Sequence, residues 1–550
     1  MALGLARIAL LLSFGLGRAA LTDDDPVAVG LTFMAGSIDP RSGSIAWALT
    51  SHGISENLFT LNQEGEIVGQ VAESVSQVSD YVWDVTLKTD YKFSDGTKVT
   101  ATHVATCLSE MNTENDNAQA SVGAMTVTAT DDTTVRIETE IVTHIMDSVL
   151  AEWVFVVYLE DAQSAFGFLF TGPYAPKNFV DDASIELVPN EYYLCADQRP
   201  DITITKYGDG YELASAVEAG NVDIGFHLPV TELENLSDVD GVDVKSFEVG
   251  YNYMMWHNVG SSNSILSSDV RLREAVDLAI DRNDLSQALS GGTGTRSLFP
   301  DYTPYYVETG SMNADPDAAE DLLDAAGWVS ASDGNRYKDG EMLSINLLAY
   351  AFRPGLGLMQ PSIATSLRAV GFNVTVIMTG SDPAFDDDWS EVSSYMNDQT
   401  FDLLMWAQNV MPAGDPAWFL NNFFRSDGGS NHAGLSSSTV DGLIDELAGL
   451  SGQTARVAKS AEITTAILDE MPVSILVTPS WHVGVSDRMA SYEPWGSDYY
   501  VIRSDLFVVG AGCVDATDDV IETVSSAGRV SARCFVLIAM TIVATFALGW

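Results

Sequence analysis

Residues 81–101 read YVWDVTLKTDYKFSDGTKVTA and decide the fold class of this chain. The run from Val82 to Leu87 alternates apolar and polar residues, and this alternation predicts a β-strand. Asp95-Gly96 follows as a turn pair of the kind that joins a strand to a helix. Strand-like runs and helical stretches alternate in this way along the whole chain, which predicts an α/β protein.

The same signals on either side of this stretch predict further strands and helices, with no repeat of fixed period. Leu343 to Met378 predicts a β-α-β unit, and Gly327 stands where a helix would stop. Helices are marked by apolar residues three and four apart, and strands by alternation or short apolar runs. The predicted strands are 27–31, 82–87, 126–130, 133–137, 202–207, 343–348, 374–378 and 401–406, and the predicted helices are 214–220, 270–280, 317–326 and 363–370.

Length and charge narrow the class of protein. The chain has 550 residues, more than the roughly 100–200 typical of one domain, and 46% of them are hydrophobic, so large cores are expected. Lys and Arg number 26 against 77 Asp and Glu, a net charge of −51. Such acidity disfavours binding to nucleic acid or to anionic lipid, since both need basic side chains. It suits a soluble protein in salty water, where charges are screened.

The sequence lacks the common catalytic and cofactor motifs. There is no GxSxG elbow, no P-loop, no HExxH and no GxGxxG after a strand. The seven His residues are scattered, with no pair four residues apart, and acidic pairs carry no information among 77 acids. We therefore expect no catalytic residue, no resident metal site and no cofactor, and an enzyme is the least favoured class.

Four cysteines are present, at 107, 195, 513 and 534, without a CxxC pair or zinc-like spacing. They do not form a disulfide scaffold. One bridge among Cys107, Cys195 and Cys513 is expected if the chain is exported, and free buried thiols are the alternative.

Both ends of the chain carry targeting signals. Residues 1–20 are typical of a signal peptide, with Arg7 before an apolar run and small residues at the cleavage point. Residues 534–550 are almost wholly apolar and follow a linker, 513–533. This tail predicts either a transmembrane anchor or a removed GPI-type tail, with a buried helix as the remaining alternative. The folded body is then expected on the extracellular or periplasmic face, tethered at its C-terminus.

A series of short segments occurs in a distinctive order, and it rises above the background of the sequence. The segments are Ser37-Ile38-Asp39-Pro40, Ala72-Glu73-Ser74, Phe93-Ser94-Asp95-Gly96-Thr97, Thr171-Gly172-Pro173-Tyr174, Ala216 to Asp223, Val270 to Arg282, Asp317 to Trp328, Phe401-Asp402-Leu403, Asp415-Pro416, Val440-Asp441 and Pro472. Together they resemble the extracellular solute-binding proteins of family 5, the peptide- and nickel-binding receptors of ABC importers. The resemblance spans Asp39 to about Pro472, which is most of the chain.

The resemblance implies an α/β, two-lobed fold of the periplasmic-binding-protein type, with a hinge and a ligand cleft between the lobes. Lobe I would cover residues 25–258 together with a returning segment, 486–512, and lobe II would cover 259–485. A ligand that touches both lobes would favour the closed form by its differential affinity for that form.

The resemblance also implies the ligand-binding residues. Arg353 lies in a segment similar to the relatives' Arg-Pro loop, whose Arg grips a ligand carboxylate, and a surface ion pair is its alternative role. Trp406 lies where relatives place an aromatic ring over the ligand. His432 falls near a His through which nickel-binding relatives hold a chelate. Tyr251 and Trp256 lie near the lobe crossing, where Trp256 serves equally well as hinge packing.

One departure from the family pattern bears on the ligand. Peptide-binding relatives hold the ligand's amino group through an Asp three residues before the Asp-Pro pair. Here that position is Pro412, so the resemblance supplies no anchor for an amine.

The function implied is that of an extracellular receptor that captures a small solute between its lobes and delivers it to an ABC transporter permease. The solute would be a short peptide, a nickel or other metal chelate, or a related organic molecule. The alternative is a cell-surface binding or sensory protein of the same fold that acts without a transporter.

Overall fold

The computed structural model describes residues 25–513 apart from positions 64, 352, 381–383 and 385–387. The predicted signal peptide, the C-terminal apolar segment 534–550 and all but the first residue of the predicted linker lie outside the described residues. The described chain up to Gly512 forms one structural unit, which contains both large sheets.

Within the described residues, short strands and helices alternate, as the sequence predicts. Numbered in chain order, the strands are β1 Val27–Leu31, β2 Glu56–Asn57, β3 Phe59–Leu61, β4 Ile67–Gly69, β5 Ala72–Ser79, β6 Val82–Leu87, β7 Met125–Ala129, β8 Thr134–Thr139, β9 Val156–Glu160, β10 Phe168–Phe170, β11 Tyr174–Val180, β12 Ser184–Pro189, β13 Ile202–Lys206, β14 Ile224–Phe226, β15 Val242–Glu248, β16 Tyr251–His257, β17 Thr293–Gly294, β18 Val329–Ser330, β19 Arg336–Lys338, β20 Glu341–Met342, β21 Ser344–Ala349, β22 Asn373–Met378, β23 Leu403–Asn409, β24 Val473–Thr478 and β25 Ser480–Ser486. The α-helices are α1 Ile45–Ser51, α2 Ala101–Glu114, α3 Met146–Val149, α4 Gly210–Glu218, α5 Leu233–Ser237, α6 Val270–Leu278, α7 Arg282–Ala288, α8 Pro316–Ala325, α9 Pro354–Ala369, α10 Asp388–Asn397, α11 Ala417–Phe424, α12 Ser438–Ala448 and α13 Gln453–Glu470. Short 3₁₀ turns cover Asp116–Gln119, Ala196–Gln198, Val230–Glu232, Ile265–Ser267, Asp487–Met489 and Asp498–Tyr500.

The first lobe is built on a seven-stranded sheet in the order β11-β12-β13-β1-β14-β25-β15. β1 runs parallel to β13 and β14, and the other neighbouring strands are antiparallel. β1 occupies the interior of the sheet because Val27, Val29 and Leu31 are all buried. A four-stranded antiparallel sheet, β5-β6-β8-β7, is separate from it.

The second lobe is built on a six-stranded sheet in the order β17-β24-β16-β23-β21-β22. β21 runs parallel to β22 and β23, and β16 lies antiparallel between β23 and β24. Every residue of β16 is buried, since this strand lies inside the sheet and is packed on both faces.

The chain passes between the two sheets at two neighbouring points. β15 ends at Glu248 in the first sheet, and β16 begins at Tyr251 in the second. β24 ends at Thr478 in the second sheet, and β25 begins at Ser480 in the first. The sequence prediction placed β16 in lobe I and most of β25 in lobe II, whereas their pairing puts each strand in the opposite sheet.

The element predictions agree with the structure in type and differ at the ends. The hairpin across Asp131-Asp132 and the β-α-β unit are both present, and Gly327 has the positive φ of 88° that a helix stop requires. The helix predicted at 363–370 begins nine residues earlier, at Pro354. Gly355, Gly357 and Pro361 are weak helix formers, and they hide the first turns of this helix from sequence patterns.

Cys107 is a free buried thiol, and Cys195 and Cys513 are both disulfide-bonded. The structure thus contains disulfide-bonded cysteines and a free buried thiol, which are the two alternatives that the sequence left open. In the described part of the chain, no helix combines the length and the apolar character needed to cross a bilayer.

Candidate ligand-binding site

The five predicted ligand-binding residues form two groups on opposite faces of the second sheet. Tyr251 and Trp256 are five residues apart on β16, so alternation directs their side chains to opposite faces. Met254 pairs with Trp406 across β16 and β23, which places Trp406 on the same face as Trp256. Trp406, Trp256 and His432 form the first group, and Arg353 and Tyr251 form the second.

The first group is an aromatic cluster around His432. The imidazole centroid lies 4.7 Å from the Trp406 ring, 5.7 Å from Phe423 and 6.1 Å from Trp256. Phe423 stacks on Trp256 at 5.8 Å with an interplanar angle of 7°. Helix α11 supplies Phe423, and this packing fixes one side of the imidazole environment.

The His432 side chain is half-buried and is packed among these rings. Burial lowers the pKa of His432 to about 4. The side chain is therefore neutral at pH 7, with a nitrogen lone pair available. A neutral imidazole is a ligand for nickel, copper, zinc and iron.

A chain of hydrogen bonds places the His432 loop beside the first lobe. The His432 amide donates to the Ser430 carbonyl (2.7 Å), and the Ser430 amide donates to the Asn422 carbonyl (2.9 Å). The Asn422 side-chain amide in turn donates to the side-chain oxygen of Asn117, in the first lobe (3.0 Å). The side-chain oxygen of Asn422 is buried and has no protein partner in the described chain. A buried side-chain oxygen without a protein partner thus lies on the segment that is hydrogen-bonded to the His432 loop, at the border between the lobes.

Trp406 is held in place from two sides. Its indole N–H donates to the Gln408 side-chain oxygen (3.1 Å), and its ring contacts Tyr350 at 5.5 Å. The Tyr350 hydroxyl oxygen accepts a hydrogen bond from the Ala407 amide (3.0 Å). Trp389, which is 49% exposed, lies 5.9 Å from Trp406. The cluster therefore extends from the buried sheet face to the surface.

The second group centres on the Arg353 guanidinium, which lies between the lobes. Its Nη2 donates to Asp498 Oδ2 (2.8 Å), and its Nη1 donates to His227 Nε2 (3.2 Å). The rings of Tyr251 and Trp481 lie 5.5 and 5.3 Å from the guanidinium carbon. Such distances allow cation–π attraction in addition to the ion pair.

His227 is a neutral acceptor for Arg353. Burial, and then the Arg353 charge, hold the pKa of His227 well below its usual range. With Nε2 accepting from Arg353, the proton is assigned to Nδ1, which lies 3.4 Å from the Thr32 hydroxyl. His227 adopts a positive φ of 71°, and its ring is packed edge-on to Trp481 at 4.6 Å.

A small cavity lies beside Arg353. The cavity that it lines with His227, Tyr253 and Trp481 has a volume of about 30 Å³.

Among the described residues, no group of three or more His, Cys, Asp or Glu side chains is arranged to hold a metal ion. A metal ion bound by the described residues would therefore depend on its own chelator for most of its ligands.

Comparison with known proteins identifies the family. Residues 66–431, about two thirds of the chain, match the bacterial extracellular solute-binding proteins, family 5 Middle. The chain belongs to this family. It is therefore a solute-binding protein of a family whose members act on the extracellular or periplasmic side.

Individual relatives of this family 5 protein bind different solutes. The nickel-binding protein NikA of Staphylococcus aureus is 24% identical over 83% of this chain and 88% of its own length. The oligopeptide-binding protein OppA of Lactococcus lactis is 29% identical over 34% of this chain and 33% of its own. The solved structure of Staphylococcus aureus NikA with Ni(L-His)2 has a TM-score of 0.76 at 22% identity, covering 87% of this chain and 98% of that one. Bacillus subtilis AppA with a nonapeptide has a TM-score of 0.72 at 17% identity, covering 86% and 97%.

Three residues of this family 5 protein's interlobe region are not marked by any motif in the sequence. Asp498 and Trp481 follow Pro472, where the motif resemblance ends, so no motif pointed to them. His227 directly follows the buried strand β14, and only this position could have marked it in the sequence as a candidate site residue. A scattered His gives no reason to choose it over the others.

Proposed function

We propose that this family 5 receptor captures a small transition-metal chelate between its lobes, nickel held by free histidine, and delivers it to the permease of an ABC importer. The observation that carries the proposal is the imidazole of His432, which burial keeps neutral at pH 7 and which lies 4.7 Å from the Trp406 ring. A neutral imidazole beside a flat aromatic surface suits a metal that brings its own organic ligands.

The chemistry of the surroundings supports a chelate rather than a bare ion. Nickel prefers imidazole and other nitrogen ligands, and His432 would supply one of them. Free histidine would supply the remaining ligands, since the described chain offers no cluster of three metal-binding side chains. Trp406 would pack against the organic part of the chelate, and the Asn422 side-chain oxygen would accept a hydrogen bond from it.

The names of the relatives agree with this chemistry. Staphylococcus aureus NikA and Campylobacter jejuni NikZ have been crystallised with Ni(L-His)2 and Ni(L-His). The NikA match extends over 83% of this chain, whereas the OppA match covers 34%.

A short peptide is the second candidate, and Arg353 is the observation that favours it. A buried guanidinium among aromatic rings between two lobes is suited to a peptide carboxylate. Two features weigh against a peptide: Asp498 already pairs with Arg353, and Pro412 stands where an amine anchor is expected.

We further propose that the lobes close about the two chain crossings, 249–250 and 479. The predicted signal peptide would direct export, and the predicted C-terminal tail would hold the receptor on the outer face of a membrane. A surface sensor without a transporter differs from this proposal only in its partner. A permease gene beside the gene for this protein would favour the transport receptor over the sensor.

The test is calorimetric titration of the purified protein with nickel and a twofold excess of L-histidine at pH 7.5. We expect saturable binding, and a loss of about tenfold or more in affinity in H432A, because a coordination bond is lost. H144A is the matched control, since His144 lies on the first lobe and bonds to Gln77 (3.0 Å). Equal affinity in H432A and the native protein would refute the role of His432. Binding of trialanine with no binding of nickel–histidine would favour the peptide reading.

A further inference from the structure

The Arg353–Asp498 ion pair joins the two lobes in a fully buried setting. Arg353 follows β21 of the second lobe and is 7% exposed. Asp498 opens the 3₁₀ turn after β25 of the first lobe, and its side chain is 0% exposed. A buried charge that loses its partner is costly, so each of these side chains needs the other in this arrangement.

Both oxygens of Asp498 have partners from the residues expected to touch ligand. Oδ2 accepts from Arg353 at 2.8 Å, and Oδ1 accepts from the Tyr251 hydroxyl at 2.8 Å. A guanidinium and a hydroxyl on two oxygens form the kind of site that would hold a ligand's carboxylate. In this chain the carboxylate is a side chain of the protein itself.

The position of Asp498 is fixed by its neighbours. The preceding Ser497 hydroxyl accepts from the Tyr499 amide at 3.2 Å, which shapes the turn. The Tyr499 ring stacks on Trp47 at 5.5 Å. The Asn409 side chain of β23 reaches Ser497 at 3.5 Å, so contacts from both lobes hold the segment.

Both terminal nitrogens of Arg353 already have acceptors, since Nη2 donates to Asp498 Oδ2 and Nη1 donates to His227 Nε2. A ligand carboxylate would have to compete for these N–H groups, and it would also meet the negative charge of Asp498.

We propose that Asp498 is a built-in carboxylate that occupies Arg353 and excludes solutes that would bind through a carboxylate at this point. Asp498 is thereby a specificity-determining residue, and Arg353 serves as a contact between lobes rather than as a ligand anchor. The inference rests on the proposed role as a solute receptor, but it does not depend on the identity of the cargo.

The test uses D498A, which removes the carboxylate and leaves its volume empty beside Arg353. Acetate is the probe, followed by calorimetry and by the melting temperature at constant ionic strength. D498N is the matched control, because it removes the charge and keeps the volume filled. The double variant D498A/R353Q has the empty volume without the guanidinium.

We expect acetate to bind D498A at least about tenfold more tightly than the native protein, D498N or the double variant, and to raise the melting temperature of D498A alone. Equal binding of acetate by D498A and D498A/R353Q would overturn the proposal. A second measurement uses the native protein with trialanine and trialanine amide, and it applies even if D498A does not fold. A tenfold preference for the acid that R353Q abolishes would make Arg353 a ligand anchor and refute the inference, whereas no preference supports it.

Nickel–histidine titration of the same variants separates the two proposals. Absence of nickel–histidine binding in the native protein would refute the proposed cargo and leave the acetate comparison intact. Acetate binding that does not depend on Arg353 would refute the role of Asp498 and leave the nickel result intact.

Discussion

The Val249 amide donates a hydrogen bond to the Pro479 carbonyl (3.4 Å), and this bond joins the two points at which the chain crosses between the large sheets. Crossings that lie side by side leave the rest of the interface held by non-covalent contacts. Ser148 of the first lobe, for example, donates to the Ala413 carbonyl of the second at 2.7 Å. A pair of adjacent crossings is suited to a hinge, since few backbone angles need to change.

Gly172, in the turn before β11, is predicted to tolerate no side chain. A Cβ at this position would lie 2.4 Å from the Ile54 carbonyl oxygen and 2.5 Å from that of Gly53. G172A should therefore lower the free energy of unfolding by about 1–3 kcal/mol, the usual cost of overpacking. Urea unfolding would measure the loss.

Gly442 provides the control for this substitution. It lies inside helix α12, and a Cβ there would meet nothing within 4 Å. G442A should raise stability by up to about 1 kcal/mol, because Ala is the better helix former. Equal effects of G172A and G442A would show that the backbone contact at Gly172 does not limit the turn.

Loss of one partner from the buried Asp415–Arg456 pair is predicted to destabilise the second lobe strongly. Arg456 Nε donates to Asp415 Oδ2 and Arg456 Nη2 donates to Asp415 Oδ1, both at 2.6 Å, and both side chains are buried. R456M would leave the Asp415 charge without its partner and should cost about 3–5 kcal/mol of unfolding free energy. The double variant D415N/R456M should be less destabilised than R456M, because no charge then remains buried.

Lys459 on helix α13 is the control for this cycle. It pairs with Glu446 and Glu462, whose side chains are exposed, so solvent and salt screen these charges. K459M should change the urea midpoint far less than R456M does. A double variant as unstable as R456M alone would mean that lost packing, rather than the buried charge, sets the cost.

The fold was largely predictable from the sequence, because periodicity and ordered motifs report on it directly. β6 and the β-α-β unit follow from alternation and apolar runs, and the family resemblance supplied the two-lobed arrangement. β16 shows the limit of this approach. Its residues from Tyr251 to His257 are all buried, so no polar alternation marks a face, and its sheet is set by tertiary pairing.

The candidate site was predictable in part. Tyr251 and Trp256 were chosen because they are close in sequence. They are five residues apart on one strand, however, so their side chains lie on opposite faces of the sheet. Arg353 and Asp498 are 145 residues apart, and their pairing depends on how the chain returns to the first lobe. No local pattern in a sequence with 77 acids distinguishes Asp498 from the rest.

Glu56 is predicted to give stability a distinct dependence on pH. Its side chain is 2% exposed, and burial raises its pKa from 4.5 to about 7 although the Tyr193 hydroxyl donates to it at 2.7 Å. Between pH 4.5 and 7 the folded state holds a proton that the unfolded state has released. Glu56 therefore lowers stability by about 1.4 kcal/mol per pH unit as the pH rises through this window.

The variant E56Q isolates this effect from other titrating groups. His52, whose pKa burial lowers to about 3, acts with the opposite sign below pH 6.5 and is common to both proteins. The stability of E56Q minus that of the native protein should rise from pH 4.5 to 7 and stay level above it. A difference that is constant with pH, measured by urea unfolding, would mean that Glu56 titrates alike in both states.

The net charge of −51 predicts that salt stabilises the fold at neutral pH. Like charges on a compact body repel one another, and the repulsion weakens as the Debye length falls from about 30 Å at 0.01 M to about 8 Å at 0.15 M salt. The melting temperature at pH 7 should therefore rise steeply with NaCl over this range. Near pH 4.1, the isoelectric point of the sequence, the same ramp should have little effect, because the net charge is close to zero. Equal shifts at both pH values would mean that salt acts through hydration of apolar surface rather than through screening.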